Sequence, residues 1–165
     1  MLFDKNIYIE RREILKKRIG SGLVVFFGNN DSPVNYPSNI YKFRQDSSFL
    51  YYFGLHREGL VGVIDIDNND EYLIGNDIDI EDIVWFGQVD SVADLASQCG
   101  VAHHATMSEL SNMVNKAKAK DQEIHFLPPY RHDLMIQIMD LLGIHPSKQR
   151  EAASLKLIKA VIDQR

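Results

Sequence analysis

Residues 23–27 read Leu-Val-Val-Phe-Phe, an unbroken apolar run set between Gly20-Ser21-Gly22 and Gly28-Asn29-Asn30. It is far shorter than the ~20 residues a membrane-spanning helix needs. Its shortness and lack of alternation fit a strand buried on both faces. Such a strand must be covered on two sides, and the rest of the chain offers alternating helical and strand patterns to cover it. The expectation is an α/β fold of three layers: a mixed sheet of four or five strands flanked by helices.

Residues 4–19 have a cap in Asp4, apolar Tyr8, Leu15 and Ile19 at helical spacing, a basic polar face and Gly20 as a stop. Residues 28–40 read as a long polar loop, a kind that is often functional. In 41–53, six of thirteen positions are aromatic. There Asp46 or Ser47 can cap a short helix that puts Phe49, Tyr52 and Phe53 on one face, with Gly54 closing it. Leu60–Ile66 and Glu71–Ile74 read as a β-hairpin around Asp67-Asn68-Asn69-Asp70. Val92–Gln98 reads as a helix stopped by Gly100. Thr106-Met107-Ser108-Glu109 is a capping-box pattern opening a helix to about Lys118. Ile124–Leu127 reads as a strand ended by Pro128-Pro129. Asp133 is placed as the cap of a helix ending at Gly143, and a last helix from Ser147 aligns Leu155, Ile158 and Ile162.

A chain of 165 residues can hold one real core, so one domain over residues 1–165 is the expectation. Cys99 is the single cysteine, which excludes an internal disulfide and makes the cytoplasm the default compartment. The charged N-terminus has no apolar signal region. Charge is unevenly spread. Residues 58–115 carry twelve Asp/Glu and no Lys or Arg, whereas the flanking segments are net positive. A middle third without cations argues against a nucleic-acid surface, and the apolar runs argue against a membrane. A solvated acidic face is the plain account of it.

Chemistry-bearing patterns are sparse. None of the six histidines makes a helical i, i+4 pair, and surface or capping roles are expected of them. His103 and His104 are adjacent, so a strand would point them to opposite faces. Asp65–Asp70 begins like a calcium loop but has Asp70 where the loop needs Gly and Asn76 where it needs Glu. Neither a nucleophile elbow nor a phosphate loop is present. Cys99 has no basic sequence neighbour and reads as inert. No metal site and no catalytic residue are assigned in this chain.

Two segments nevertheless form a pattern. Phe43-Arg44-Gln45-Asp46-Ser47-Ser48-Phe49-Leu50-Tyr51-Tyr52-Phe53-Gly54-Leu55 resembles a block of the N-terminal domain of Xaa-Pro aminopeptidases, the aminopeptidase P group within the creatinase/prolidase N-terminal superfamily. About thirty residues on, Ile83-Val84-Trp85-Phe86-Gly87 resembles that family's Ile-Trp-Phe-Gly segment. Order, spacing and the strand pair between them agree, and the resemblance runs from about Arg12 to the end of the chain, weakest after Met113.

The resemblance implies a non-catalytic domain that precedes a "pita-bread" metallopeptidase domain. That second domain, with its two divalent metals (usually manganese), is expected to lie outside these 165 residues. It implies as partners the chain's own C-terminal catalytic domain, further copies in a homo-oligomer, and proline-containing peptides. It also implies roles in oligomer contacts and at the active-site rim. Trp85 and Phe86 are the rim candidates, with a core position for Trp85 as the alternative. Arg44 and Asp46 are the candidates for anchoring the loop. Where family members often carry an acidic residue before the Arg-Gln block, this chain has Ser38 and Asn39. Two other readings are a self-contained metal enzyme using the acidic middle third and a free-standing interaction module.

Overall fold

The computed structural model describes residues 3–77 and 90–165. Strand β1 (Leu23–Phe27) is buried at every position. Val24 and Phe26 face one apolar cluster while Leu23, Val25 and Phe27 face another, so the strand does lie between two layers. On one side it pairs antiparallel with β4 (Val61–Asp65), which pairs antiparallel with β5 (Asp70–Ile74). β5 continues in parallel to β6 (His103–Ala105), and the other side of β1 runs parallel to β7 (Ile124–Phe126). The sheet order is β6-β5-β4-β1-β7, and the sheet is mixed. The hairpin expected at Asp67–Asp70 is present, with Asn69 adopting positive φ in its turn.

Seven helices among the described residues cover the two faces. One layer is α1 (Lys5–Ile19), α2 (Ser47–Phe53), α3 (Val92–Cys99) and α7 (Leu155–Gln164). The other is α4 (Met107–Ala119), α5 (His132–Leu142) and α6 (Pro146–Ala152). Local signals set most boundaries. Asp4 accepts from the Asn6 N–H, Asp46 from the Ser48 and Phe49 N–H groups, and Thr106 with Glu109 forms a complete capping box. Phe49, Tyr52 and Phe53 are fully buried on one side of α2. The Phe53 ring covers Gly62 of β4, where any Cβ would collide with it. Gly54 ends α2 in the left-handed region at φ 69°, with Tyr8 packed against it.

Several expectations change. The stretch 28–40 is not all loop: β2 (Pro33–Tyr36) and β3 (Asn39–Ile40) form a small antiparallel hairpin. Asp133 does not cap α5. Arg131 holds the cap position without a side-chain bond, and Asp133 lies in the first turn, where a carboxylate complements the helix dipole. The C-terminal helix is two helices, broken at Ala153-Ser154, where Ser154 starts α7 by accepting the Leu157 N–H. Of the expected stripe on α7 only Ile158 packs inward, partly buried against the second cluster. Leu155 and Ile162 are 80% and 69% exposed, and Leu157, Ala160 and Val161 enter the core instead.

The basic face of α1 is likewise not all solvated. Arg12 is fully buried. Its Nε donates to Glu71 at 2.8 Å, Nη1 to the Tyr52 carbonyl at 2.8 Å, and Nη2 to the Cys99 and Gly100 carbonyls at 3.1 and 3.0 Å. Those carbonyls belong to the last turns of α2 and α3, so one guanidinium satisfies two helix ends and a carboxylate on β5. His125 is also buried rather than superficial. Its Nδ1 meets the Ser154 hydroxyl at 2.8 Å and its Nε2 the Ser21 carbonyl at 3.0 Å. Because the Ser21 carbonyl can only accept, Nε2–H donates to it, and Nδ1 of the neutral ring then accepts the Ser154 hydroxyl. His145 does cap a helix, α6, through Nδ1.

Candidate functional site

The carboxyl ends of β1 and the parallel β7 lie side by side, the position at which open α/β sheets place their working loops. Three segments converge there: Gly28–Asn30 after β1, the 41–46 stretch before α2, and Pro128–Arg131 after β7. The buried amide of Gln45 joins the first two. Its Oε1 accepts the Asn29 N–H at 2.6 Å and the Asp46 N–H at 2.8 Å, and its Nε2 donates to the Arg57 carbonyl at 2.7 Å. Asn29 Nδ2 donates to the Arg44 carbonyl at 2.9 Å.

Asp46 uses one carboxylate oxygen to cap α2 and the other to accept the Tyr130 hydroxyl at 3.0 Å. Burial first, and the Asp46 charge after it, hold the Tyr130 phenol above its ordinary pKa, so it is a donor here. The Arg44 side chain is exposed and enters no hydrogen bond or ion pair with the described residues. Its backbone carbonyl, not its guanidinium, is what the loop uses.

The β2–β3 hairpin projects from this end. Arg131 holds its base, donating from Nη2 to the Asn30 carbonyl and the Ser32 hydroxyl at 3.0 and 2.8 Å while pairing with Asp133. Burial pushes the Asp133 carboxyl up, but hydrogen bonds from Arg131 and Asn30 outweigh it and hold the group below its ordinary value. Val34, Tyr36, Ile40 and Tyr41 stand out from the hairpin, and Tyr130 beside it is 62% exposed. The niche under Tyr130, lined by Phe27, Leu127, Pro128 and Leu134, measures about 30 Å³, room for a water but not for a substrate. Larger open depressions lie beside it, about 510 Å³ among Asn30, Asn76, Asp133 and Gln137 and about 360 Å³ along Pro33, Val34, Asn35, Tyr36 and Pro37 of the hairpin.

Trp85 and Phe86 lie outside the described residues. The flanks of their segment are described, and Arg57 bonds to both: Nη2 to the Asn76 carbonyl at 2.6 Å and Nη1 to the Asp90 carbonyl at 3.1 Å. Gln45, Asn29, Tyr130 and Arg57 were not singled out from the sequence. Apart from the Gln45–Asp46 bond, their partners lie 12 to 101 positions away.

Among the described residues no group of three or more His, Cys, Asp or Glu could hold a metal ion. Several carboxylates are committed to other partners: Glu71 to Arg12 and Lys16, Asp133 to Arg131, Asp65 and Asp67 to Gln122. Burial raises the Cys99 thiol to about 11, against the smaller opposing pull of Arg12, so it is not a nucleophile at neutral pH. No described helix is long and apolar enough to cross a membrane.

Comparison with solved structures finds the same fold in larger enzymes. Proline aminopeptidase P II from Yersinia pestis matches with a TM-score of 0.71 at 17% identity, over 86% of this chain and 33% of that one. The low-pH form of aminopeptidase P from E. coli matches at 0.70 and 17%, over 87% and 33%. Zn-substituted E. coli aminopeptidase P in complex with product matches at 0.68 and 17%, over 90% and 34%. The chain thus spans about a third of the length of these enzymes. No curated protein matches it significantly. The family model for the aminopeptidase P N-terminal domain matches residues 8–125, from α1 through β7, including both segments singled out in the sequence. The chain belongs to the aminopeptidase P N-terminal domain family.

Proposed function

We propose that this domain is the non-catalytic N-terminal part of a metal-dependent Xaa-Pro aminopeptidase, where it contributes oligomer contacts and part of the active-site rim. The observation that carries this is the family match over residues 8–125 on a fold shared with aminopeptidase P enzymes. The strand-end surface supports it. An exposed hairpin with apolar and tyrosine side chains, braced by Arg131 and Gln45, has the chemistry of a protein-contact surface.

Two divalent metals, manganese by the family resemblance, would reside in the C-terminal catalytic domain. The described residues here do not fit them, since no ligand group assembles, and no catalytic step is assigned to this chain. Its partners on this reading are that catalytic domain, further copies of the same protein, and proline-containing peptides in the whole enzyme. Its compartment is the cytoplasm. Trp85 with Phe86 supplies the rim, because a tryptophan offers a large rigid face for a proline ring.

Two assays test this. The isolated chain with manganese should release nothing from an Xaa-Pro peptide, and turnover that follows the purified chain would overturn the non-catalytic assignment. In an enzyme carrying this domain, Trp85→Ala should raise KM for such peptides with little change in kcat. Unchanged kinetics would overturn the rim role.

A further inference from the structure

Arg57 sits where two otherwise separate parts of the chain meet. Its guanidinium donates to the Asn76 and Asp90 carbonyls, on opposite flanks of positions 78–89. Beside it, Asp77 accepts the Val92 N–H at 2.6 Å, a second tie between the two flanks at the start of α3. The Arg57 backbone carbonyl accepts from Gln45, which in turn accepts the Asn29 N–H at the end of β1. A continuous hydrogen-bonded line therefore runs from the interior strand, through the 43–57 block, to both flanks.

We infer that Arg57 is a positioning residue, fixing the flanks of positions 78–89 to each other and to the central strand. The planar fork of an arginine presents two N–H groups at a set angle to two carbonyls, which the single flexible ammonium of lysine cannot reproduce. Both bonds lie near the surface, and Arg57 joins neither apolar cluster. Its loss should therefore loosen the flanks without loosening the core. The inference deepens the proposed function and rests on it only for the consequence that Trp85 is carried between these flanks.

Hydrogen–deuterium exchange on the 165-residue chain tests it without substrate, so the result stands whether or not the peptidase reading does. In Arg57→Ala, the hydrogen-bonded amides of Gly75, Ser91 and Val92 should exchange at least about tenfold faster while Val24–Phe26 and Val63 keep their rates. Arg57→Lys should recover only part of the protection and still exchange at least about threefold faster at the flanks. Flank rates within about twofold of wild type in either variant would overturn the inference. So would equal acceleration at the flanks and in β1, the signature of general destabilisation. If Arg57→Ala does not fold, Arg57→Lys decides by the same criteria.

Discussion

Replacing Arg12 with Met tests how the helical layer is held to the sheet. Met keeps most of the side-chain volume and fits a helix, so propensity and packing change little. The substitution removes four hydrogen bonds, to Glu71, Tyr52, Cys99 and Gly100. Removing one partner of a buried ion pair costs about 3–5 kcal/mol, because the other charge is left without compensation. Lys16, at 3.3 Å from Glu71, keeps part of that compensation. The three stranded carbonyls add to the loss, since each bond to a charged donor is worth about 1.5–3 kcal/mol. Together these favour a net loss of at least about 3 kcal/mol, or about 6 °C or more in Tm for a chain of this size. Urea unfolding followed by far-UV dichroism should show the midpoint falling with the slope m unchanged. Arg11→Met is the control: at the partly exposed edge of the same helix Arg11 stacks on Tyr51 at 4.0 Å and donates to the Tyr51 carbonyl at 2.9 Å, and with that carbonyl left open to water the change should cost about 1–2 kcal/mol, less than Arg12→Met. A loss below about 1 kcal/mol for Arg12→Met would refute the view that this guanidinium ties α1 to α2, α3 and β5.

Gly62→Ala should destabilise by about 3 kcal/mol or more, read by the same unfolding curves, because its Cβ would meet the fully buried Phe53 ring. Asp94 and Glu109 are held below their ordinary pKa values by bonds from Ser91 and Thr106, and Asp133 by Arg131 and Asn30 despite burial. Depressed carboxylates stabilise above the unfolded pKa, and that stability is lost as pH falls through the folded one. Thermal scans should therefore show Tm falling with acid below about pH 4. Asp31 runs the other way: burial, then Glu58, raise its carboxyl, and its Oδ1 is buried without a partner among the described residues. Asp31→Asn should leave the protein as stable or up to about 1 kcal/mol more stable near pH 7, and a clear loss would show that the charge has a partner role.

How far the structure was legible depended on the range of each interaction. The buried strand Leu23–Phe27, the hairpin at Asp67–Asp70, the Asp46 cap and the Thr106–Glu109 box are each decided within a few residues, and each forms as read. The Leu155, Ile158, Ile162 stripe misled because helical spacing shows which residues share a face, not which face meets the core. Ser154 restarts the helix and turns Leu157 and Val161 inward. Asp133 looked like a cap because the residue type suits one, but Arg131 and Asn30 take its carboxylate. Arg12 and Gln45 were illegible in function. A buried Arg looks in sequence like any other basic residue of a helix, and its partners lie 40 to 88 positions away. The two family-like segments were legible as a pattern. The link from the first of them, through Gln45 and Arg57, to Asn76 and Asp90 on the flanks of the second was not.

On the function proposed above, this domain serves a peptidase without performing the chemistry. Its most direct test is kcat/KM on an Xaa-Pro peptide, with manganese, for the catalytic domain joined to residues 1–165, for that catalytic domain without them, and for residues 1–165 alone. The joined enzyme should be active, removal of residues 1–165 should lower kcat/KM by at least about tenfold, and the domain alone should give no turnover. Turnover by the domain alone, or a catalytic domain whose kcat/KM stays within about twofold after its removal, would contradict it.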